Sequence, residues 1–394
     1  MSTSTGDSEP SSTPGGGRTA VPATLCAHPV TSIATAHSAD AQMRAVIRTT
    51  LASNKVDRVS VFATATGVGS WPGTSAREAA EVVVGELHRM PHLVELPARG
   101  VGADMIGRAG ALLVDIAIDT VPRGYRIASG RGSVARRAAS LLEEDMDALE
   151  EAWENAGLRG SERTVKVAAP GPVTLAAHLE LPGGHRALTD AGAVRDLTRS
   201  LAEGVAALRA QLMRRLETEV VAQFDEPSLP AALAGRLTGV TSMSPVHPVD
   251  EAVVTELLDE CVAVVGGAVA VHSCAEGLPW RLLQRSTIAA VSVDVQTLTA
   301  ADLDGVGEFV ESGRTVLLGA VPIAVSGVPP SADQIATTLA AVTDRLGFAR
   351  AVLRDRIGVT PACGLAAATP AWARTAIVLA QQAADALGED PEAI

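Results

Sequence analysis

From about residue 58 to its end the chain alternates short β-branched or apolar runs with longer stretches of helical period, and this restricts it to a parallel α/β architecture. The expected strands are 59–66 (VSVFATAT), 93–97 (LVELP), 164–169 (TVKVAA), 219–224 (EVVAQF), 268–272 (AVAVH), 289–294 (AAVSVD), 315–320 (TVLLGA) and 356–360 (RIGVT). Helical patterns fill the intervals at 75–90, 134–157, 190–217, 249–264, 299–312 and 331–347, with a last one at 370–387. Eight strands with intervening helices over about 330 residues predict a (β/α)8 TIM-type barrel forming one domain, 56–394. An open doubly wound sheet competes. It loses ground because Gly67-Val68-Gly69-Ser70-Trp71-Pro72-Gly73, after the first strand, is not the glycine fingerprint that gives such a sheet its dinucleotide.

Composition fits buried parallel strands. Hydrophobic residues make up 47% and aromatics only 2%, so Ala, Val and Leu must fill the core. A net charge of −13 with no basic block argues against nucleic acid as a partner, since phosphate binding needs a basic face. No apolar run approaches the roughly 20 residues that cross a bilayer, and the N-terminus lacks the order of a secretory signal, so the expected location is cytoplasmic. Cys26, Cys261, Cys274 and Cys363 are too few and scattered for a disulfide framework; a reducing compartment leaves them free for metal. Residues 1–55 form an extension: its first 24 residues are Ser/Thr/Gly/Pro-rich and expected to be disordered, and 39–52 carries a short helical pattern without a strong cap.

In such a barrel, chemistry gathers at the C-terminal ends of the strands. There stand Gly69-Ser70, Pro170-Gly171-Pro172, Asp225-Glu226-Pro227, His272-Ser273-Cys274, Ser292-Val293-Asp294 and Cys363-Gly364. His272 and Cys274, two apart on a strand end, face the same way. With Cys363 and Asp294 they supply one imidazole, two thiolates and a carboxylate, a soft set suited to zinc rather than magnesium or calcium. The competing reading makes the cysteines small core residues and His272 a satisfied core histidine. Asp225-Glu226 reads equally as a ligand for a substrate amine or as the cap of a following helix. Gly69-Ser70 is either a carboxylate-binding turn or an ordinary one.

Taken together, T-G-V-G-S-W-P (66–72), P-G-P-V-T (170–174), Q-F-D-E-P-S-L (223–229), V-H-S-C (271–274), V-S-V-D (291–294) and P-A-C-G-L (361–365) resemble the catalytic C-terminal barrel of cobalamin-independent methionine synthases, over roughly 60–385 and in that family's order. The resemblance implies a zinc ion on His272, Cys274, Asp294 and Cys363, with Asp294 a shorter acid where the family has Glu. It implies homocysteine held by Val68, Gly69, Ser70 and Asp225, the last also carried as the catalytic position. By counting, a second homocysteine-binding glutamate falls on Ala111, a folate-contacting glutamate on Ala231 and a proton-donor histidine near Val325, so the metal half of the site survives better than the folate half. The function so implied is zinc-dependent methyl transfer to homocysteine, giving methionine, from a methylfolate, a corrinoid-bound methyl group or a simpler donor. A methyltransferase acting on another small thiol and a non-catalytic zinc- or thiol-binding barrel are the alternatives.

Overall fold

The computed structural model describes residues 59–239, 245–325 and 327–394; the expectations for 1–55, including the helix at 39–52 and Cys26, lie outside the described residues. Nine strands occur there: β1 (Ala117–Val121), β2 (Gly124–Ala128), β3 (Thr164–Pro170), β4 (Leu179–Glu180), β5 (Glu219–Asp225), β6 (Val269–Ser273), β7 (Ala290–Asp294), β8 (Thr315–Val321) and β9 (Ile357–Pro361). Six of them, β3-β5-β6-β7-β8-β9, hydrogen-bond in that order, each pair parallel.

Two further extended segments close this curled sheet into a ring. Thr66 N donates to Val359 O at 3.1 Å and Val359 N to Thr64 O at 3.0 Å, which seats the first segment against β9. Trp71 N and Glu95 O at 2.8 Å, with Glu95 N and Gly69 O at 3.1 Å, join the first segment to the second. Leu93 N then donates to Lys166 O of β3 at 2.9 Å. The expected strands 59–66 and 93–97 therefore exist as isolated bridges, Ala65–Val359, Ser70–Glu95 and His92–Lys166, and not as regular strands. Around Ser60–Thr64 the chain turns back on itself, Ala63 N donating to Ser60 O and Thr64 N to Phe62 O, and this buries Phe62 completely. Gly358 makes the seam possible: a Cβ there would stand 2.3 Å from Phe62 O.

Period-two alternation sorts the strand residues into two cores. Val165, Val167, Val220, Ala222, Val269, Val271, Val291, Val293, Val316, Leu318 and Val359 belong to the large core shared with the helices. Phe62, Met90, Val221, Ala270, Ala290 and Leu317 form a separate small cluster, the apolar plug inside the ring. One of the few aromatics thus fills space that Ala270 and Ala290 leave.

The surrounding helices include α1 (Ala76–Glu86), α2 (Met105–Leu112), α3 (Ser133–Asn155), α4 (Pro172–His178), α5 (Ala191–Leu216), α6 (Leu229–Leu233), α7 (Glu251–Val265), α8 (Trp280–Arg285), α9 (Ala300–Glu311), α10 (Ala332–Arg345), α11 (Ala351–Arg356) and α12 (Pro370–Glu389). Side-chain caps start many of them: Ser75 accepts from Glu78 N, Asp190 from Ala193 N, and Ser331 with Gln334 forms a reciprocal capping box. The seven expected helices are all present, whereas the short α2, α4, α6, α8 and α11 were not anticipated. A side sheet of β1, β2 and β4 was also unforeseen, β1 pairing antiparallel with β2 and β2 parallel with β4. No helix among the described residues is long and apolar enough to cross a membrane.

Candidate functional site

The inward positions of β6 run Ala270, His272, and then Cys274 just past the strand, so a floor residue of the plug leads directly to two metal-ligating side chains. Cys363 follows β9 and meets them from across the ring. Its sulfur lies 2.7 Å from that of Cys274 and 3.9 Å from His272 Nε2. One donor atom from each of His272, Cys274 and Cys363 falls within 4.8 Å of the others. Around a tetrahedral zinc, with bonds of about 2.3 Å to sulfur and about 2.0 Å to imidazole, donors stand about 3.5–3.8 Å apart, so the two sulfurs would separate by about 1 Å on binding; two thiolates with one imidazole are that ion's preferred chemistry. These three residues fit that ion. Ser292 Oγ lies 3.1 Å from His272 Nδ1, an orienting contact that leaves Nε2 toward Cys363.

Both cysteines are free and half-buried. Their shared hydrogen bond holds the Cys274 thiol below its usual range, against burial and against the Asp294 and Asp225 carboxylates, which push it up. The same bond, together with burial, pushes the Cys363 thiol well above the usual range. Asp294 stands at the end of β7, close enough to act on Cys274, but it is not among the converging donors. Its Oδ1 instead accepts from Gln296 N at 2.8 Å and starts the turn Val295–Thr297.

Beside His272, Cys274 and Cys363 lies a buried polar cluster. Asp225, at the end of β5 and in register with His272, accepts from Gln223 Nε2 at 2.7 Å. Burial raises its carboxyl above the usual range while His272 and Lys166 pull it back. Glu95, 5% exposed, has its carboxyl pushed up to about 7, first by burial and also by Asp225, with Arg108 and Lys166 opposing. Its carboxylate sits against Gly69, where a Cβ would lie 3.5 Å from Oε2. Arg108 Nε is 3.8 Å from Glu95 Oε1, and Asp145 bridges Arg108 to Arg99, the latter at 2.6 Å. Glu226, the neighbour of Asp225, is fully buried and accepts from Val173 N, Thr174 N and Thr174 Oγ1 at the start of α4. The capping reading of the Asp-Glu pair therefore describes Glu226, although the helix it caps is α4 and not the one that follows it.

The Gly69-Ser70 loop packs against the two residues that follow Cys363. Leu365 N donates to Ser70 O at 2.9 Å, and a Cβ on Gly364 would stand 2.0 Å from Ser70 Oγ. Val68 is turned the other way, its carbonyl accepting from Lys166 Nζ at 2.8 Å and Gln223 Nε2 at 2.9 Å.

Sequence reasoning thus located His272, Cys274, Cys363, Asp225 and the 68–70 loop, which come together. It missed Glu95, Lys166 and Gln223. Ala111 lies on α2, and the acid placed next to Asp225 is Glu95, nine residues ahead of Asp104. Ala231 lies on α6 and Val325 in the loop after β8.

The model of the family "cobalamin-independent synthase, catalytic domain" matches residues 62–386. Among solved structures the fold is similar to a B12-independent methionine synthase from Shewanella sp. W3-18-1 in complex with selenomethionine (14% identity, 85% of this chain, 100% of that chain, TM-score 0.51). It is similar also to a methyltransferase from Methanosarcina mazei (14%, 85% and 94%, TM-score 0.50) and a putative vitamin-B12 independent methionine synthase from Listeria monocytogenes (13%, 82% and 96%, TM-score 0.51). No curated protein matches in sequence.

Proposed function

Because this chain belongs to the cobalamin-independent synthase catalytic-domain family, we propose that it transfers a methyl group to the sulfur of homocysteine, forming methionine. The observation that carries the reading is the convergence of His272, Cys274 and Cys363 beside two buried carboxylates, Glu95 and Asp225. A thiol acceptor needs the first group, and the ammonium of an amino acid needs the second. Glu95 next to Asp225 supports an amino-acid acceptor over other small thiols.

His272, Cys274 and Cys363 would hold a zinc ion, with Asp294 as a fourth, exchangeable ligand. Bound zinc supplies thiol activation: a free thiol has a pKa near 8.5, and coordination keeps it as a nucleophilic thiolate at neutral pH. Ser292 fixes the imidazole, and the 68–70 loop with Asp225 and Glu95 orients the amino acid so that its sulfur faces the metal-ligating residues. Asp225, the catalytic position, takes the ammonium. The methyl group passes from its donor to the sulfur, and the donor leaves with the bonding electron pair. A methylfolate or a corrinoid-bound methyl group would serve; Ala231, where an acid would contact folate, supports the second or a simpler donor. Residues 56–394 act as the catalytic unit, and the need for reduced thiols supports a cytoplasmic location.

Elemental analysis of wild type, Cys274→Ser and Cys363→Ser tests the metal. One zinc per wild-type chain, lost in both variants, is expected, followed by methionine formation from homocysteine with methyltetrahydrofolate or methylcobalamin. Wild type that takes up no zinc overturns the mechanism.

A further inference from the structure

The residue that the site does not yet account for is Lys166. It interrupts an otherwise apolar stretch of β3, and the whole side chain is buried, with 0% exposure. An ammonium buried this way costs several kcal/mol unless its protons are taken, so its partners define its purpose. They are Val68 O at 2.8 Å and Gln223 Oε1 at 2.5 Å. Neither partner is a simple counter-ion: Val68 belongs to the 68–70 loop, and Gln223 is bonded to Asp225.

Resting on the amino-acid reading above, we propose that Lys166 is the positioning residue of that pocket, setting the Val68 peptide and, through Gln223, the Asp225 carboxylate, while touching neither substrate nor metal. The chain of causes is short. Lys has donors only, so it can bind only the oxygen of the Gln223 amide. That leaves Gln223 Nε2 to donate to Val68 O at 2.9 Å and Asp225 Oδ1 at 2.7 Å. With Oδ1 engaged, Asp225 Oδ2 is the oxygen left for the substrate amine. Holding the Val68 carbonyl inward also directs the Gly69 N–H the opposite way, because a trans peptide sets the two antiparallel. The Lys166 charge further faces both Glu95 and Asp225, stabilising two acids that stand close together.

Zinc-loaded full-length Lys166→Met and Gln223→Glu are compared with wild type by calorimetric titration with L-methionine and with 4-(methylthio)butanoate, which has the thioether but no amine. Gln223→Glu keeps an oxygen for Lys166 and loses the donor to Asp225, so it tests the idea even where Lys166→Met fails to fold. Wild type is expected to prefer L-methionine at least tenfold. Both variants are expected to keep one zinc per chain and to lose that preference, L-methionine weakening ten- to a hundredfold and the analogue less than threefold. A packing role for Lys166 would weaken both ligands together or neither, and either result overturns the proposal. Wild type that binds neither compound overturns the amino-acid reading itself.

Discussion

Glu95 is the residue whose behaviour differs most from what its type suggests. Its carboxyl, held near 7 by burial and by Asp225 in spite of Arg108 and Lys166, is half protonated at about pH 7. An incoming ammonium favours the ionised form, so binding below pH 7 should expel a proton and affinity should climb as pH rises through about 7. Calorimetry with L-methionine in buffers of different ionisation enthalpy should show about one proton released near pH 6 and little near pH 8.5; in Glu95→Gln the release should vanish. Gly364 is fitted just as closely. An added methyl at Gly364 meets Ser70 Oγ, so Gly364→Ala should displace the 68–70 loop and Cys363 together. Zinc affinity and methionine affinity should both fall at least tenfold, where a substitution acting on one function would spare the other. His272, Cys274 and Cys363 were legible in the sequence because their residue types carry the chemistry themselves. Glu95 and Lys166 carry no motif; their signal was a lone charge inside LVELP and TVKVAA, segments whose burial makes any charge expensive. Counting from Asp104-Met105 led to Ala111 because the separation between that pair and the acid beside Asp225 is a loop length, which sequence order alone does not constrain.

Among the elements, the seven longer helices and six of the eight expected strands could be read from periodicity, since each has a face that must be buried. The first two staves were also placed by their apolar runs, but they are held by isolated bridges and do not form the regular strands expected of them. The β1–β2–β4 sheet escaped because β1 and β2 are only partly buried and show no clean apolar alternation. How α3 is fastened to the pocket leads to a further prediction. Asp145 on α3 is completely buried and holds both Arg99 and Arg108. Asp145→Ala leaves two buried guanidinium groups short of a partner and should cost about 3 kcal/mol, read as a lower urea midpoint with an unchanged m-value. Arg108 would retain only its 3.8 Å approach to Glu95, so the Glu95 proton should be lost at lower pH in this variant.

For the whole molecule, His272 and Cys274 come from β6 and Cys363 from the end of β9, so an ion held by all three, as proposed, would bind only the folded form and stabilise the closed barrel. Zinc at a thousand times its dissociation constant contributes about 4 kcal/mol. Removing it with a chelator should lower the melting temperature of wild type by several degrees and leave Cys274→Ser unaffected. Closure at the seam has a further consequence, in time. Thr66 is made early, and its partner Val359 roughly 290 residues later. At about 5–20 residues per second of synthesis, the first edge waits about 15–60 s for its neighbour. Through that interval Phe62 has no completed ring to plug, and Ser70 has no Gly364 to rest against. The nascent chain therefore carries His272 and Cys274 without Cys363 until the stretch just before α12 has been made, and the three donors can converge only after that.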